Sequence, residues 1–109
     1  MVSHYSASKF GVVGFSQAIA KELAKHNITV NVYCPGIVDA PMWDQVDREL
    51  CQLWGMKSGE PTNNYIKGTL LGRLSKPEDI TGLVSFLASK DSDFMTGQSI
   101  ILDGGIVIF

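Results

Sequence analysis

The sequence predicts an α/β fold with a parallel sheet, on three observations. A helical pattern over about residues 6–25 leads directly into a β-branched-rich run at 28–34. A second helical pattern starts at residue 77 and leads into a short strand pattern at 99–102. Helices that alternate with strands are typical of parallel sheets, because each helix carries the chain back between strands. The 109 residues are 45% hydrophobic and 18% charged, which favours one packed domain over disorder.

The first helix is predicted over about Ser6–Lys25. Its apolar positions recur near helical spacing, and its small residues would let another helix approach closely. The apolar set is Phe10, Val13, Ala18, Ile19 and Leu23, and the small set is Gly11, Gly14, Ala18 and Ala20. His26 and Asn27 are predicted to end the helix, since asparagine is common at helix C-termini.

The strand that follows is predicted at Ile28–Cys34, where β-branched residues alternate loosely with others. Pro35 and Gly36 are predicted to stop it. In a parallel sheet, ligands bind beyond the carboxyl ends of the strands. The loop from Pro35 to Pro41 follows such an end, so it is a candidate ligand-binding loop.

The middle of the chain is less regular. Asp44 is predicted to cap a helix that runs to about Leu53. A polar loop is then predicted at Gly55–Asn64, and a short helix at Tyr65–Leu71.

The next helix has a clear start at Ser75-Lys76-Pro77-Glu78. Proline suits the first turn, and acidic residues suit the positive end of the helix dipole. A turn is predicted at Lys90–Asp93 and a strand at Ser99–Leu102, ended by Asp103-Gly104-Gly105. No repeat, low-complexity tract or linker interrupts the chain, so residues 1–109 are predicted to form part of one domain.

Charge and composition argue against several function classes. A net charge of −2 without a basic run predicts no binding to nucleic acid or to a membrane surface. No apolar stretch approaches the roughly 18 residues of a membrane helix, and the N-terminus lacks a secretory pattern. Cys34 and Cys51 are expected to be free thiols in a reducing cytoplasm. Neither they nor His4 and His26 have the spacing of metal ligands, so no metal site is predicted.

Tyr5 and Lys9 form a candidate catalytic pair. Residues four apart on a helix lie on one face. A tyrosine in water has a pKa of about 10, and a nearby cation favours the phenolate. Such a phenol becomes a usable proton donor or acceptor. By itself the spacing is also found on ordinary surface helices.

Further motifs fall in order along the chain. After Tyr5-Ser6-Ala7-Ser8-Lys9 come Asn31-Val32-Tyr33-Cys34-Pro35-Gly36-Ile37-Val38, Pro41-Met42-Trp43, Gly72-Arg73-Leu74-Ser75-Lys76-Pro77-Glu78-Asp79, Met95-Thr96-Gly97-Gln98 and Asp103-Gly104-Gly105. With these motifs the chain resembles the short-chain dehydrogenase/reductase family from about Tyr5 to Phe109. Within that family it is most similar to the acetoin (diacetyl) reductases, or 2,3-butanediol dehydrogenases.

The resemblance implies the C-terminal half of a Rossmann-type, doubly wound parallel sheet in three α/β/α layers, incomplete in this chain. It also implies hydride transfer between NAD(H) and a small ketone or secondary alcohol, such as acetoin, diacetyl or 2,3-butanediol. The intact family member is expected to be a homodimer or homotetramer. The family's glycine-rich phosphate turn and its catalytic serine have no counterpart here. Two alternatives therefore stay open: an inactive truncated product, and an oligomerisation or interaction module.

The resemblance makes Tyr5 and Lys9 both catalytic and cofactor-binding residues. Tyr5 would exchange a proton with the substrate oxygen as hydride moves. Lys9 would assist the phenol and hydrogen-bond the nicotinamide ribose.

The same resemblance assigns a cofactor loop and a substrate pocket. The cofactor loop is Pro35, Gly36, Ile37 and Val38, in which the Val38 backbone would hold the carboxamide and Gly36 would allow close approach of a ligand. The resemblance also implies a mobile substrate lid at about residues 42–71. Met42 and Trp43 would line the substrate pocket there, although Trp43 could equally be a packing residue of the lid. Ala40 stands where the family usually has threonine, so a hydroxyl contact to the cofactor is missing.

Overall fold

The computed structural model describes residues 3–108, which form four α-helices and two strands. In chain order these are α1 (Ser3–Leu23), β1 (Val32–Pro35), α2 (Pro41–Trp54), α3 (Glu60–Gly68), α4 (Pro77–Leu87) and β2 (Ser99–Leu102). Single 3₁₀ turns lie at Ala24–His26 and Lys90–Ser92. The predicted α/β class is confirmed.

Two compact units can be distinguished in the chain. The first holds Met1–Cys34 and Val84–Ile100, and the second holds Pro35–Leu83 and Ile101–Phe109. The candidate cofactor loop and pocket residues belong to the second unit, whereas Tyr5 and Lys9 belong to the first.

The two strands pair in a parallel register. The Val32 N–H donates to the Gln98 carbonyl at 2.9 Å, and the Gly36 N–H donates to the Leu102 carbonyl at 3.0 Å. Partner numbers rise together along both strands, which is the pattern of parallel pairing. β2 has the predicted bounds, whereas β1 is shorter than predicted.

Residues 28–31 were predicted as strand but lie outside β1. The Val30 N–H donates to the Thr96 hydroxyl at 3.1 Å, and the Asn31 side-chain amide donates to the Met95 carbonyl at 2.8 Å. One backbone bond, from the Gly97 N–H to the Val30 carbonyl at 2.7 Å, remains beside these side-chain bonds, so the regular ladder and β1 begin later.

α1 ends at Leu23, two residues before the predicted Lys25, and continues as the 3₁₀ turn Ala24–His26, which ends at the predicted Asn27. Asn27 adopts the left-handed conformation, with φ 56° and ψ 33°, and its N–H donates to the Ala24 carbonyl at 3.0 Å. Asparagine tolerates this conformation better than most residues. Lys25 and His26 in the preceding turn suit the negative end of the helix dipole.

The start of α2 differs from the prediction. Asp44 lies inside the first turn, and Ala40 is the N-cap residue, with φ −152° and ψ 157° and no side-chain cap. Pro41 opens the helix, where its missing N–H removes no hydrogen bond.

The predicted loop at Gly55–Asn64 and helix at Tyr65–Leu71 were wrong in their bounds. α3 begins at Glu60, with Pro61 in its first turn. The Asp47 carboxylate of α2 stabilises this start by accepting hydrogen bonds from α3's N-terminal region, which an asparagine or serine next to the helix usually does. A residue distant in sequence therefore decides where α3 begins.

Apolar burial is slight in the described residues. Ala20, 4% exposed, and Pro61 are the buried apolar side chains among them, so the packed core expected from composition is largely missing. Phe10 and Phe15 of α1 are 79% and 66% exposed. Gly11 and Gly14 have no neighbouring atom within 4 Å of an added Cβ, so the described chain leaves this face of small residues open.

No helix in the described stretch is both long and apolar enough to cross a membrane. Across residues 3–108, no group of three or more His, Cys, Asp and Glu side chains could hold a metal ion. Cys34 and Cys51 are both free thiols.

Candidate active site

The Tyr5 and Lys9 side chains lie together on α1. The Lys9 ammonium is 5.3 Å from the centroid of the Tyr5 ring, within the range of a cation–π contact. Tyr5 is 53% exposed, so its phenol is open to a substrate. The Ser8 hydroxyl donates to the Tyr5 carbonyl at 2.7 Å and does not use the phenol. The spacing thus produces an accessible phenol beside a cation.

The candidate cofactor loop is held by Ser75, which lies 37 residues beyond Val38 in the sequence. The Ser75 N–H and hydroxyl both donate to the Ile37 carbonyl at 3.0 Å, and the Asp39 N–H donates to the Ser75 carbonyl at 2.8 Å. Together these bonds form an isolated parallel bridge between Val38 and Ser75.

The bridge leaves the Val38 backbone free. In a parallel bridge the partner bonds to the residues before and after the paired one, whose own N–H and C=O point to the opposite side. Within residues 3–108, the Val38 N–H and C=O have no hydrogen-bond partner. A carboxamide offers an acceptor oxygen and donor N–H groups, so this free donor and acceptor fit the nicotinamide group.

Tyr65 of α3 holds the other side of the loop. Its hydroxyl accepts a hydrogen bond from the Ile37 N–H at 2.9 Å. A Cβ on Gly36 would lie 2.5 Å from this hydroxyl and 3.0 Å from the Asp103 Cα. The close approach at Gly36 is therefore made by the chain's own groups, which differs from the predicted approach of a ligand there. Because both backbone groups of Ile37 are also in use, a cofactor contact would fall on Val38.

Trp43 and Met42 occupy different environments. Trp43 is half-buried, and its indole N–H donates to the Thr62 hydroxyl at 2.9 Å. Its ring lies 6.3 Å from the Tyr65 ring, tilted by 51°, in the range of an aromatic pair. Met42 is 73% exposed. The structure thus joins Trp43 to the residue that holds the cofactor loop, and leaves Met42 in solvent.

The Asp47 carboxylate lies behind Trp43. It accepts hydrogen bonds from the Thr62 hydroxyl at 2.5 Å, the Thr62 N–H at 3.0 Å and the Gly59 N–H at 3.0 Å. These donors, the Thr62 hydroxyl first, lower the pKa of Asp47, although burial opposes them. Burial and the nearby carboxylate raise the pKa of Cys51, whose sulfur is 3.7 Å from Asp47.

A cavity of about 160 Å³ lies beside the loop in the second unit. Its lining residues are Ile37, Tyr65, Leu71, Arg73, Ser75, Asp79, Leu102, Asp103 and Gly104. Arg73 and Asp79 form a two-bond ion pair at 2.6 and 3.0 Å, and hydrogen bonding by Arg73 lowers the pKa of Asp79 to about 2. Asp103 is the other charged lining residue, and its carboxylate accepts hydrogen bonds from the Gly105 and Val107 N–H groups at 2.8 and 3.0 Å.

Sequence reasoning missed Tyr65, Ser75, Thr62 and Asp47 as site residues. Their contacts join positions 15 to 38 residues apart, so no local pattern marks them. One local signal existed: Pro61, a residue suited to a first helical turn, indicates where α3 begins and hence which residues face α2.

Known proteins match this chain over nearly all of its residues. A family model described as enoyl-(acyl carrier protein) reductase, of the short-chain alcohol dehydrogenase type, matches residues 1–107. The chain is 50% identical to the L-2,3-butanediol dehydrogenase of Corynebacterium glutamicum over 107 residues, covering 98% of this chain and 42% of that protein. It is 49% identical to a Staphylococcus epidermidis diacetyl reductase of the (S)-acetoin-forming type, covering 94% and 40%.

A solved structure agrees with the sequence relatives. Sorbitol-6-phosphate 2-dehydrogenase of Erwinia amylovora superposes with a TM-score of 0.91 at 34% identity, over 98% of this chain and 42% of that one. The chain therefore spans about two fifths of the length of the relatives it matches. Since the family model covers nearly every residue and the folds agree, the chain belongs to the short-chain dehydrogenase/reductase family.

Proposed function

We propose that this chain carries the tyrosine–lysine helix and the nicotinamide loop of an oxidoreductase that transfers hydride between NAD(H) and a small ketone or secondary alcohol. The free N–H and C=O of Val38 are the observation that carries the proposal, since they match the donor and acceptor of a carboxamide. Acetoin, diacetyl and 2,3-butanediol are the proposed substrates, on the basis of the named relatives.

The cofactor, when bound, supplies or accepts the hydride. The Val38 backbone fixes the orientation of the carboxamide, and the bonds from Ser75 and Tyr65 keep the loop from moving. Pro35 and Gly36 shape the approach to this contact. NAD(H) is proposed over NADP(H) from the resemblance to the butanediol dehydrogenases, and NADPH is the matched comparison in any binding assay.

Tyr5 is proposed to exchange the proton with the substrate oxygen. Its phenol is accessible, as a group that exchanges a proton with a substrate must be, and the Lys9 ammonium lies 5.3 Å from the centroid of its ring. Lys9 is also proposed to bond the nicotinamide ribose. Trp43 and Met42 are proposed to line the substrate pocket, where Trp43 is the better supported, since it contacts the residue that holds the cofactor loop.

A homo-oligomer is proposed for the working enzyme. The exposed Phe10 and Phe15 on α1 support it, since large apolar side chains in solvent favour association. A reducing cytoplasm suits the two free thiols. Light scattering over a concentration series tests the oligomer, and a monomer at all concentrations would refute it.

The experiment is a fluorescence titration with NADH, followed by diacetyl to detect NADH oxidation. Tyr5→Phe should keep NADH binding and lose turnover by about 10²-fold or more, since general acid–base catalysis contributes that much. Tyr33→Phe is the matched control, because Tyr33 is a similarly exposed tyrosine on β1. Turnover that survives Tyr5→Phe would refute the role of Tyr5, and no saturable NADH binding would refute the activity in this chain.

A further inference from the structure

We propose that Thr62 and Asp47 are positioning residues that hold the Trp43 indole in one orientation, and thereby set the fit of a small ketone in the pocket. This inference rests on the proposed function for its second part only. Its first part, the orientation of Trp43, stands on hydrogen bonds within the second unit.

The hydrogen bonds have a fixed direction. An ionised carboxylate only accepts hydrogen bonds, so Asp47 makes the Thr62 hydroxyl a donor. That hydroxyl has one proton, so its remaining capacity is as an acceptor. An indole N–H only donates, and the Trp43 N–H meets the Thr62 oxygen at 2.9 Å. The chain of bonds from Trp43 to Asp47 therefore has one consistent arrangement at neutral pH.

The carboxylate is itself held in place. Besides the Thr62 hydroxyl, Asp47 accepts from the backbone N–H groups of Gly59 and Thr62 at 3.0 Å. It is only 8% exposed, so water competes little for its oxygens. Trp43 and Asp47 lie about one turn apart on α2, and Thr62 lies in the first turn of α3, so these bonds hold the indole to both helices.

The ring of Trp43 also has a packing partner. Its ring packs at 6.3 Å against Tyr65, whose hydroxyl accepts from the Ile37 N–H of the cofactor loop. With Thr62 on the indole nitrogen and Tyr65 against the ring, Trp43 has a fixed place relative to that loop. A ketone that contacts Trp43 would then be oriented relative to the nicotinamide.

Thr62→Val separates this role from a purely structural one. Valine has nearly the shape of threonine and lacks the hydroxyl, while both backbone N–H bonds to Asp47 remain possible. α3 therefore keeps its stabilised start. Thr62→Ser is the matched control, because it restores the hydroxyl. The parent for both variants carries Trp54→Phe, which leaves Trp43 as the only tryptophan.

The first readout is the ¹⁵N–¹H signal of the Trp43 indole in the full chain, with acrylamide quenching of its fluorescence. In Thr62→Val the indole proton should move upfield and quenching should rise about twofold or more, and Thr62→Ser should resemble the parent. Far-UV circular dichroism checks that all variants are folded. If Thr62→Val is folded with an unchanged indole signal, the positioning role is overturned; if it is not folded, Asp47→Asn, which weakens the same chain of bonds, decides by the same readout.

The second readout is NADH-dependent diacetyl reduction. Thr62→Val should raise KM about fivefold, the effect of one neutral hydrogen bond, with kcat nearly unchanged, and Thr62→Ser should return KM to the parent value. An indole that moves without any change in KM would overturn the link to substrate fit. A parent without turnover would refute the proposed function and with it that link, while the indole signal still decides the positioning of Trp43.

Discussion

Gly36→Ala probes the packing behind the cofactor loop most directly. A Cβ there would lie 2.5 Å from the Tyr65 hydroxyl and 3.0 and 3.2 Å from the Asp103 Cα and Cβ. Asp103 directly follows Leu102, whose carbonyl accepts a hydrogen bond from the Gly36 N–H at 3.0 Å, so its backbone cannot move away without cost. Gly36 has no positive φ, so the effect is steric and not conformational.

The magnitude follows from two opposing effects. Overpacking of this kind costs about 1–3 kcal/mol, and a glycine-to-alanine change lowers the entropy of the unfolded chain, which returns about 0.4–1 kcal/mol. The expected net loss in the free energy of unfolding is about 1–2 kcal/mol. Tyr65→Phe should cost about 1 kcal/mol through the lost bond to Ile37. Because the phenylalanine removes the nearest clash, the double variant should cost less than the sum of the single ones.

The assay is urea unfolding followed by tryptophan fluorescence. Trp43 and Trp54 both lie in the unit that holds the loop, so their signal reports on that unit. Gly82→Ala is the matched control: an added Cβ has no atom within 4 Å, and the residue lies in the same unit inside α4, where alanine is favoured over glycine. If Gly36→Ala is as stable as the parent, or if Tyr65→Phe gives no relief in the double variant, the packing argument is wrong.

Two further predictions concern the loss of stability at acid pH and the turn after β2. The pKa of Asp79 is about 2 in the folded chain, below its ordinary 3.8, chiefly because Arg73 hydrogen-bonds it, so its contribution is present above the ordinary value and lost as pH falls through the folded one. Asp79→Asn should make the urea midpoint fall less between about pH 4 and pH 2. An equal fall of the midpoint in both proteins would contradict this. Gly104→Ala should cost about 2 kcal/mol or more, because φ is 69° and a Cβ would lie 2.8 Å from Thr69 Cγ2. Gly72→Ala, with φ 66° and open space, should show only the conformational part, and equal urea midpoints for the two variants would refute the steric part.

Local signals in the sequence predicted several elements well. Asn27 ended the 3₁₀ turn that continues α1, and Ser75-Lys76 preceded α4, which begins at Pro77, because capping and proline preferences act within a few residues. β2 had its predicted bounds for the same reason: a short β-branched run is followed directly by glycines.

Contacts between distant residues explain the errors. α3 begins five residues before its predicted start because Asp47 reaches its N-terminal N–H groups from another helix. β1 loses its first residues to side-chain bonds from Thr96 and Asn31. The sequence contains these residues but gives no sign of which partner each will meet.

The candidate site likewise contains residues that a local pattern predicts and contacts that no local pattern predicts. Tyr5 and Lys9 were found by their helical spacing, and their side chains do lie together. The loop at Pro35–Val38 was found by resemblance, but the Ser75 bridge that frees the Val38 backbone depends on a pairing across 37 residues. The chemical type of a site residue can be predicted from sequence, whereas the hydrogen bonds that hold it in place depend mostly on the fold.

The bridge between Val38 and Ser75 has a consequence for how such enzymes diversify. It joins the two ends of the segment 40–74, which contains α2 and α3 and forms an excursion from the rest of the fold. Closing a longer loop costs little, about 0.6 kcal/mol for each doubling of length. The excursion can therefore be lengthened, shortened or exchanged for that of a relative while the bridge keeps its hydrogen bonds. On the proposed function, substrate preference and cofactor contact can then be engineered separately, provided that a graft keeps the contacts of this segment with the rest of the chain, among them Tyr65 with Ile37 and the Leu71 N–H with the Gly104 carbonyl.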